Sequence, residues 1–134
     1  MTVDQFLYAY VVDEQTYPDE TIIVEEGSKG SWVYVILEGR TRVMKRTSKG
    51  MLTLGTLEEG AVFGEMAFLE RGQGIRSASV VAADGPVRVG VLDSELLTRD
   101  YESLSPHLKE LLKALIVRLR RTSEKVCAIV VASN

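Results

Sequence analysis

Between residues 8 and 92 a turn signal interrupts the chain about every ten residues, a spacing that excludes long helices there. The signals are Pro18-Asp19, Gly27-Ser28-Lys29-Gly30, Glu38-Gly39, Lys49-Gly50, Glu59-Gly60, Gly72-Gln73-Gly74 and Asp84-Gly85-Pro86. Between them lie short runs rich in β-branched and aromatic residues, predicting strands at 8–12, 21–24, 32–37, 40–46, 52–57, 78–82 and 87–92. Several alternate, with Arg40, Arg42 and Met44 on one face and Thr41, Val43 and Lys45 on the other. Short strands closely punctuated by turns predict a small β-barrel or jelly roll. At 134 residues, 46% hydrophobic and 26% charged, the chain holds one ordinary globular core.

The last forty or so residues change period. Asp93 or Ser94 caps a short helix over 93–104 that carries Leu96, Leu97 and Tyr101. Ser105 followed by Pro106 is a cap with proline at the first helical position, so a long helix is predicted over 105–130. Along it Leu108, Leu112, Leu115, Leu119, Thr122, Val126 and Ile129 are spaced alternately by four and three, a heptad seam with one polar member, Thr122. Leu111 and Ile116 flank the seam, so it can pack on the barrel, pair with a second copy, or do both.

Residues 63–81, FGEMAFLERGQGIRSASVV, bring together the polar chemistry. Gly60 and Gly64 permit a tight turn, and residues 65–69 can form one helical turn whose free N–H groups make an anion site. Glu65 can accept hydrogen bonds from sugar hydroxyls, and Arg76 offers a planar fork to a phosphate, with the Ser77 hydroxyl beside it. The same spacing also allows Glu65 and Arg76 simply to pair across the loop.

Phe63-Gly64-Glu65 followed by Arg76-Ser77-Ala78 resembles the phosphate-binding cassette of cyclic-nucleotide-binding domains, closest in motif to the sensor domain of the catabolite activator protein. Residues 22–27, 34–39 and Glu59-Gly60 match the glycine corners of that family's roll, and the resemblance spans about residues 16–126. It implies an eight-stranded β-roll over 8–92 with the cassette at 63–78, then the short helix and a long dimerisation helix. It further implies that Glu65 accepts the ribose 2′-hydroxyl, Arg76 pairs with the cyclic phosphate, Ser77 adds a hydroxyl, and Gly64 and Met66 give backbone contacts. Val43, Leu54 and Leu57 fall where the family lines its base and ribose pocket. Residues 118–126 are similar to the activator's helix, in which a Thr-Ser pair bonds adenine from its own subunit and across the dimer. Thr122 and Ser123 stand in those places, which implies cAMP as ligand, with cGMP as the alternative. The gap from Glu65 to Arg76 is one residue longer than in the activator family, and Gly72-Gln73-Gly74 is the place to absorb it.

Other functions find less support. One histidine, His107, excludes most histidine metal clusters and hydrolytic triads, so no catalytic or metal site is expected. The carboxylate doublets Asp13-Glu14, Asp19-Glu20, Glu25-Glu26 and Glu58-Glu59 point to opposite strand faces and read as solvated surface. A formal charge of −3 argues against a whole-protein grip on nucleic acid. Arg118, Arg120, Arg121 and Lys125 read as a solvated face beside the seam, the alternative being an acidic partner or nucleic acid. Only eight residues follow Val126, too few for a helix-turn-helix reader. No apolar run suits a membrane span, and a single cysteine, Cys127, is expected to be a packing residue in a reducing cytoplasm. The expectation is a non-enzymatic, homodimeric cAMP receptor, set against a dimerisation module whose pocket is degenerate.

Overall fold

The computed structural model describes residues 3–30, 32–64 and 75–133. Its elements in chain order are α1 (Gln5–Tyr8), β1 (Val11–Tyr17), β2 (Ile22–Val24), β3 (Tyr34–Thr47), β4 (Gly50–Leu57), β5 (Val62–Phe63), β6 (Ser79–Leu92), α2 (Ser94–Glu102) and α3 (Pro106–Ser133). The strands form one antiparallel sheet in the order β1-β6-β3-β4; β2 also pairs with β6, and β5 with β3. The protein is mainly β with helices after the sheet, as the turn spacing predicted.

Six strands stand among the described residues, where eight were expected. Two predicted reversals are bends within longer strands. The runs 32–37 and 40–46 belong to one 14-residue strand, β3, and 78–82 and 87–92 to another, β6. These two pair with each other from Tyr34↔Val91 to Met44↔Ser79, with register shifts on either side of Glu38. Gly39 takes φ +100°, and a Cβ there would lie 2.7 Å from the Pro86 carbonyl oxygen, so the strands cross closely where both bend. Asp84 and Gly85 also have positive φ. A bulge lets a strand turn a corner and keep its partner, which rolls the sheet.

The first predicted strand is shifted. Asp4 accepts a hydrogen bond from the Phe6 N–H at 2.8 Å and starts a helical turn at 5–8, so β1 begins at Val11. It runs on through the acidic Asp13-Glu14 doublet because β6 supplies a partner from Leu92 to Val87.

Alternation along β3 divides the core. Tyr34 and Ile36 join Phe63, Val80, Ala82, Val87, Val89 and Val91 inside the roll. Val33, Val35 and Leu37 join Val3 and Leu92 on the other side, covered by Leu7 and Leu97. Tyr34 and Phe63 stack at 5.0 Å between ring centroids, anchoring β5 to β3 beside the glycine turn that follows.

Both helix starts are as predicted. The Asp93 carboxylate accepts from the Glu95 and Leu96 N–H groups, and the Ser105 hydroxyl accepts from the Leu108 N–H at 3.3 Å. Helix α3 turns Lys109, Leu112, Ile116, Arg120 and the buried Cys127 inward to varying degrees, and leaves Leu108, Leu111, Leu115, Leu119, Val126 and Ile129 exposed. The inward stripe takes Ile116 from the flanking edge and Leu112 from the seam, while Leu111 and most of the heptad seam lie open. No helix among the described residues is long and apolar enough to cross a membrane.

Candidate functional site

Inside the roll, a cavity of about 290 Å³ opens between β3, β4, the β5 turn and the start of β6. Its wall holds Val43, Leu54, Leu57, Gly64, Arg76 and Ser77, six of the ten residues expected at the site. Val43 comes from the inward face of β3, with Thr41 and Lys45 on the same face as the alternation predicted. The β3–β4 register sets Val43 opposite Gly55, bringing Leu54 and Leu57 to the same wall. Glu65 and Met66, with the helical turn expected at 65–69, lie outside the described residues.

Arg76 is 7% exposed, and its position is fixed twice over. Its backbone N–H donates to the Ser28 carbonyl at 2.8 Å, and its carbonyl accepts from the Gly27 N–H at 2.9 Å. Its side chain donates from Nη1 to the Gly64 carbonyl at 3.1 Å and from Nη2 to the Trp32 carbonyl at 3.0 Å. A planar fork held by two fixed carbonyls keeps one orientation, as the recognition of an anion by arginine requires. Gly64 makes the arrangement possible. At φ +89°, a Cβ there would lie 2.6 Å from the Trp32 oxygen and 2.8 Å from Arg76 Nη1.

The next layer involves a residue expected on the surface. Glu26 Oε1 accepts from the Arg46 N–H at 2.8 Å, and Oε2 lies 3.5 Å from Lys45 Nζ. Lys45 Nζ donates to the Ser77 carbonyl at 2.8 Å, and the Glu26 N–H donates to the Ser79 hydroxyl at 2.8 Å. Glu26 therefore braces the strand that follows Arg76 instead of lying in solvent with Glu25. Residue type gave no sign of this, because only the pairing of β2 with β6 brings residue 26 beside residue 79.

Helix α3 contributes differently from expectation. Leu119, assigned by spacing to the seam, lines the cavity. Arg120, assigned to a solvated basic face, instead turns inward and buries Nε and Nη2. It lines a smaller cavity of about 70 Å³ with Val43, Lys45, Leu54, Ser77, Ala78 and Glu124. The missed signal was its place four residues beyond Ile116 on the inward stripe. Thr122 does not line the main cavity. It is exposed beside Arg118 and Arg121, and its hydroxyl donates to the Arg118 carbonyl at 2.9 Å. A helical threonine can satisfy its own hydroxyl in this way, so Thr122 is not an unpartnered polar group in the seam. The Ser123 side chain lies outside what the structure describes.

A family model described as cyclic nucleotide-binding domain matches residues 14–101. Human cGMP-dependent protein kinase 2 is 26% identical over 116 residues, which cover 85% of this chain and 15% of the kinase. The cyclic AMP receptor protein of Thermus thermophilus is 33% identical over 115 residues, covering 81% of this chain and 49% of the receptor. The chain thus spans about half of one relative's length and far less of the other's. Among solved structures, the EAL enzyme Bd1971 in its cAMP-bound form superimposes with a TM-score of 0.76 at 29% identity, covering 85% of this chain and 30% of that one. Its cGMP-bound form gives 0.73 at 30% identity, over 84% and 30%. The family model covers more than half of the chain, and the chain belongs to the cyclic nucleotide-binding domain family.

Proposed function

We propose that this chain is a receptor for cyclic nucleotides, with cAMP its preferred ligand, and that it works as a cytosolic homodimeric sensor rather than a catalyst. The observation that carries the reading is Arg76, an oriented guanidinium in the wall of a largely apolar cavity of about 290 Å³. That volume is at the lower end of the usual range for small-molecule sites. Phosphate on Arg76 would supply a formal opposite charge, and Val43, Leu54, Leu57 and Leu119 would cover ribose and base. Glu65, Met66 and Ser77 complete the cassette in this reading, with Glu65 on the ribose hydroxyl.

The preference for cAMP rests on Thr122 and Ser123. The Thr122 proton is committed to Arg118, so its oxygen has only lone pairs to offer, which suits the exocyclic amino group of adenine. This contact requires α3 to shift, or the helix of a second copy to close on the pocket. The open heptad seam supports the dimer: Leu115 is 48% exposed and Ile129 62%.

Calorimetric titration with cAMP and cGMP tests the proposal. The parent is expected to bind, and Arg76→Ala to lose about 2–5 kcal/mol as a buried phosphate forfeits its partner. That corresponds to a loss of roughly 30-fold to several-thousand-fold. Arg76→Lys should recover only part, for want of the bidentate fork. A parent that binds neither nucleotide leaves only the dimerisation module, and an Arg76→Ala protein that binds like the parent removes the assigned pocket.

A further inference from the structure

The last pair of the β3–β6 ladder is Met44↔Ser79, so Ser77 and Ala78 lie just beyond it. Their neighbours are fixed by other means. On one side the Arg76 backbone is bonded to Gly27 and Ser28, and on the other the Ser79 hydroxyl accepts from the Glu26 N–H at 2.8 Å. A peptide group between two fixed neighbours keeps one freedom. It can rotate about the line joining its Cα atoms, which exchanges the directions of its carbonyl and its N–H. Those two groups lie on opposite sides of a trans peptide, so fixing one fixes the other.

Lys45 removes that freedom. It follows Met44 on β3, and its Nζ donates to the Ser77 carbonyl at 2.8 Å, so a side chain takes over where the backbone ladder stops. Nζ also lies 3.5 Å from one oxygen of Glu26, whose other oxygen accepts from the Arg46 N–H at 2.8 Å. Glu26 thus ties the ammonium back to its own strand. The Lys45 and Glu26 side chains are 23% and 26% exposed, so salt and water screen the pair only weakly.

We infer that Lys45, steadied by Glu26, is a positioning residue for the anionic group of the ligand: it holds the Ser77–Ala78 peptide with its carbonyl on the ammonium and its N–H toward the main cavity. The inference rests on the receptor reading above. Ser77 and Ala78 line the main cavity together with Arg76, and Lys45 lies on the wall of the adjoining cavity of about 70 Å³. An ammonium on the carbonyl draws electron density from the amide and strengthens its N–H as a donor. With the peptide reversed, a carbonyl dipole would face the phosphate and oppose it. Lys45 acts on the phosphate through the peptide between them, without touching it.

The test is calorimetry with cAMP and cGMP on the 134-residue chain, together with amide NMR of the same chain labelled with nitrogen-15. In the parent, saturating cAMP is expected to move the Ala78 amide proton downfield, as a donor engaged by an anion moves. Lys45→Met should weaken cAMP by about ten- to a hundredfold, the scale of one hydrogen bond to a charged group, and abolish most of that shift. Glu26→Gln keeps an acceptor for the Arg46 N–H but loosens the ammonium, and should weaken cAMP by about two- to tenfold. The double variant should lose no more than Lys45→Met, because both side chains act through one peptide. If circular dichroism shows Lys45→Met unfolded, Lys45→Gln, which keeps a neutral donor, decides the matter by an intermediate loss. Tighter binding by Glu26→Gln would mean that only net charge near the pocket counts, and it overturns the inference alone. So does a Lys45→Met protein that binds like the parent or keeps the Ala78 shift. A parent that binds neither nucleotide overturns the receptor reading and this inference together.

Discussion

Gly64→Ala tests whether the glycine turn holds Arg76 in place. Two costs can be read from the geometry. A residue with a Cβ at φ +89° occupies the left-handed region, for about 1–2 kcal/mol. The new methyl would also lie 2.6 Å from the Trp32 oxygen and 2.8 Å from Arg76 Nη1, and neither can yield without breaking the 3.0 or 3.1 Å bonds that aim the guanidinium. Overpacking of this kind costs about 1–3 kcal/mol, for a sum of about 2–5 kcal/mol. For a domain this size each kcal/mol moves Tm by about 3–5 °C, so a fall of roughly 6–25 °C is expected. Gly27→Ala isolates the first cost: φ there is +83°, but nothing lies within 4 Å of the added carbon. It should lose only about 1–2 kcal/mol and bind cAMP like the parent. Gly64→Ala should also weaken cAMP by about tenfold or more, the scale of one impaired charge-assisted contact. Thermal denaturation and calorimetry of both variants check the reasoning, and matching behaviour in Tm and affinity would refute it.

Three further outcomes follow from other parts of the molecule. Leu115→Glu places a charge on the open seam, at a position 48% exposed in the single chain, so it should abolish a dimer seen by sedimentation while changing the stability of the monomer by less than about 1 kcal/mol. Thr122→Val removes the hydroxyl bonded to Arg118 and makes the seam wholly apolar; hydrogen exchange over residues 118–130 should then be slow without ligand, whereas in the parent saturating cAMP is needed to slow it. The Tyr10 phenol donates to Asp100 at 2.5 Å, and that bond, then burial, then the carboxylate's charge hold its pKa above the usual tyrosine value. A raised folded pKa means that the stabilisation is whole below the unfolded value near 10 and fades as pH rises through the folded one, so Tyr10→Phe should flatten the alkaline fall in Tm.

What the sequence disclosed was mostly local. Asp93, Ser105 and Pro106 mark helix starts because a cap acts on N–H groups two or three residues away. The cassette ends, Gly64 and Arg76, were legible as a motif, and the structure sets them 3.1 Å apart through the Gly64 carbonyl. Glycine positions were legible too, but not what they do. Gly39 and Gly85 look like hairpin turns in one dimension, yet each bends a strand that keeps its partner, and only the β3–β6 pairing decides this. The same limit applies to single charged residues. Glu26 resembles its neighbour Glu25, and Arg120 resembles Arg121, until the β2–β6 register and the seat of α3 turn one member of each pair inward. For Thr122 the sequence discloses a polar member of the seam, but not that its own helix supplies an acceptor for the hydroxyl, the Arg118 carbonyl.

Because Arg76 is clamped through its backbone to Gly27 and Ser28 and through its side chain to Trp32 and Gly64, its position does not depend on the length of chain between Gly64 and Ile75. Both ends of that interval are also held by backbone pairing, the near one by Phe63 on Tyr34 and the far one by the bridge from Ile75 to Lys29. Lengthening a connection of about ten residues by one adds only about 0.1 kcal/mol of closure entropy. The extra residue implied by the resemblance to the activator family is therefore nearly neutral for the position of Arg76. A reporter grafted near Gly72-Gln73-Gly74 is accordingly expected to leave Arg76 in its place on the cavity wall.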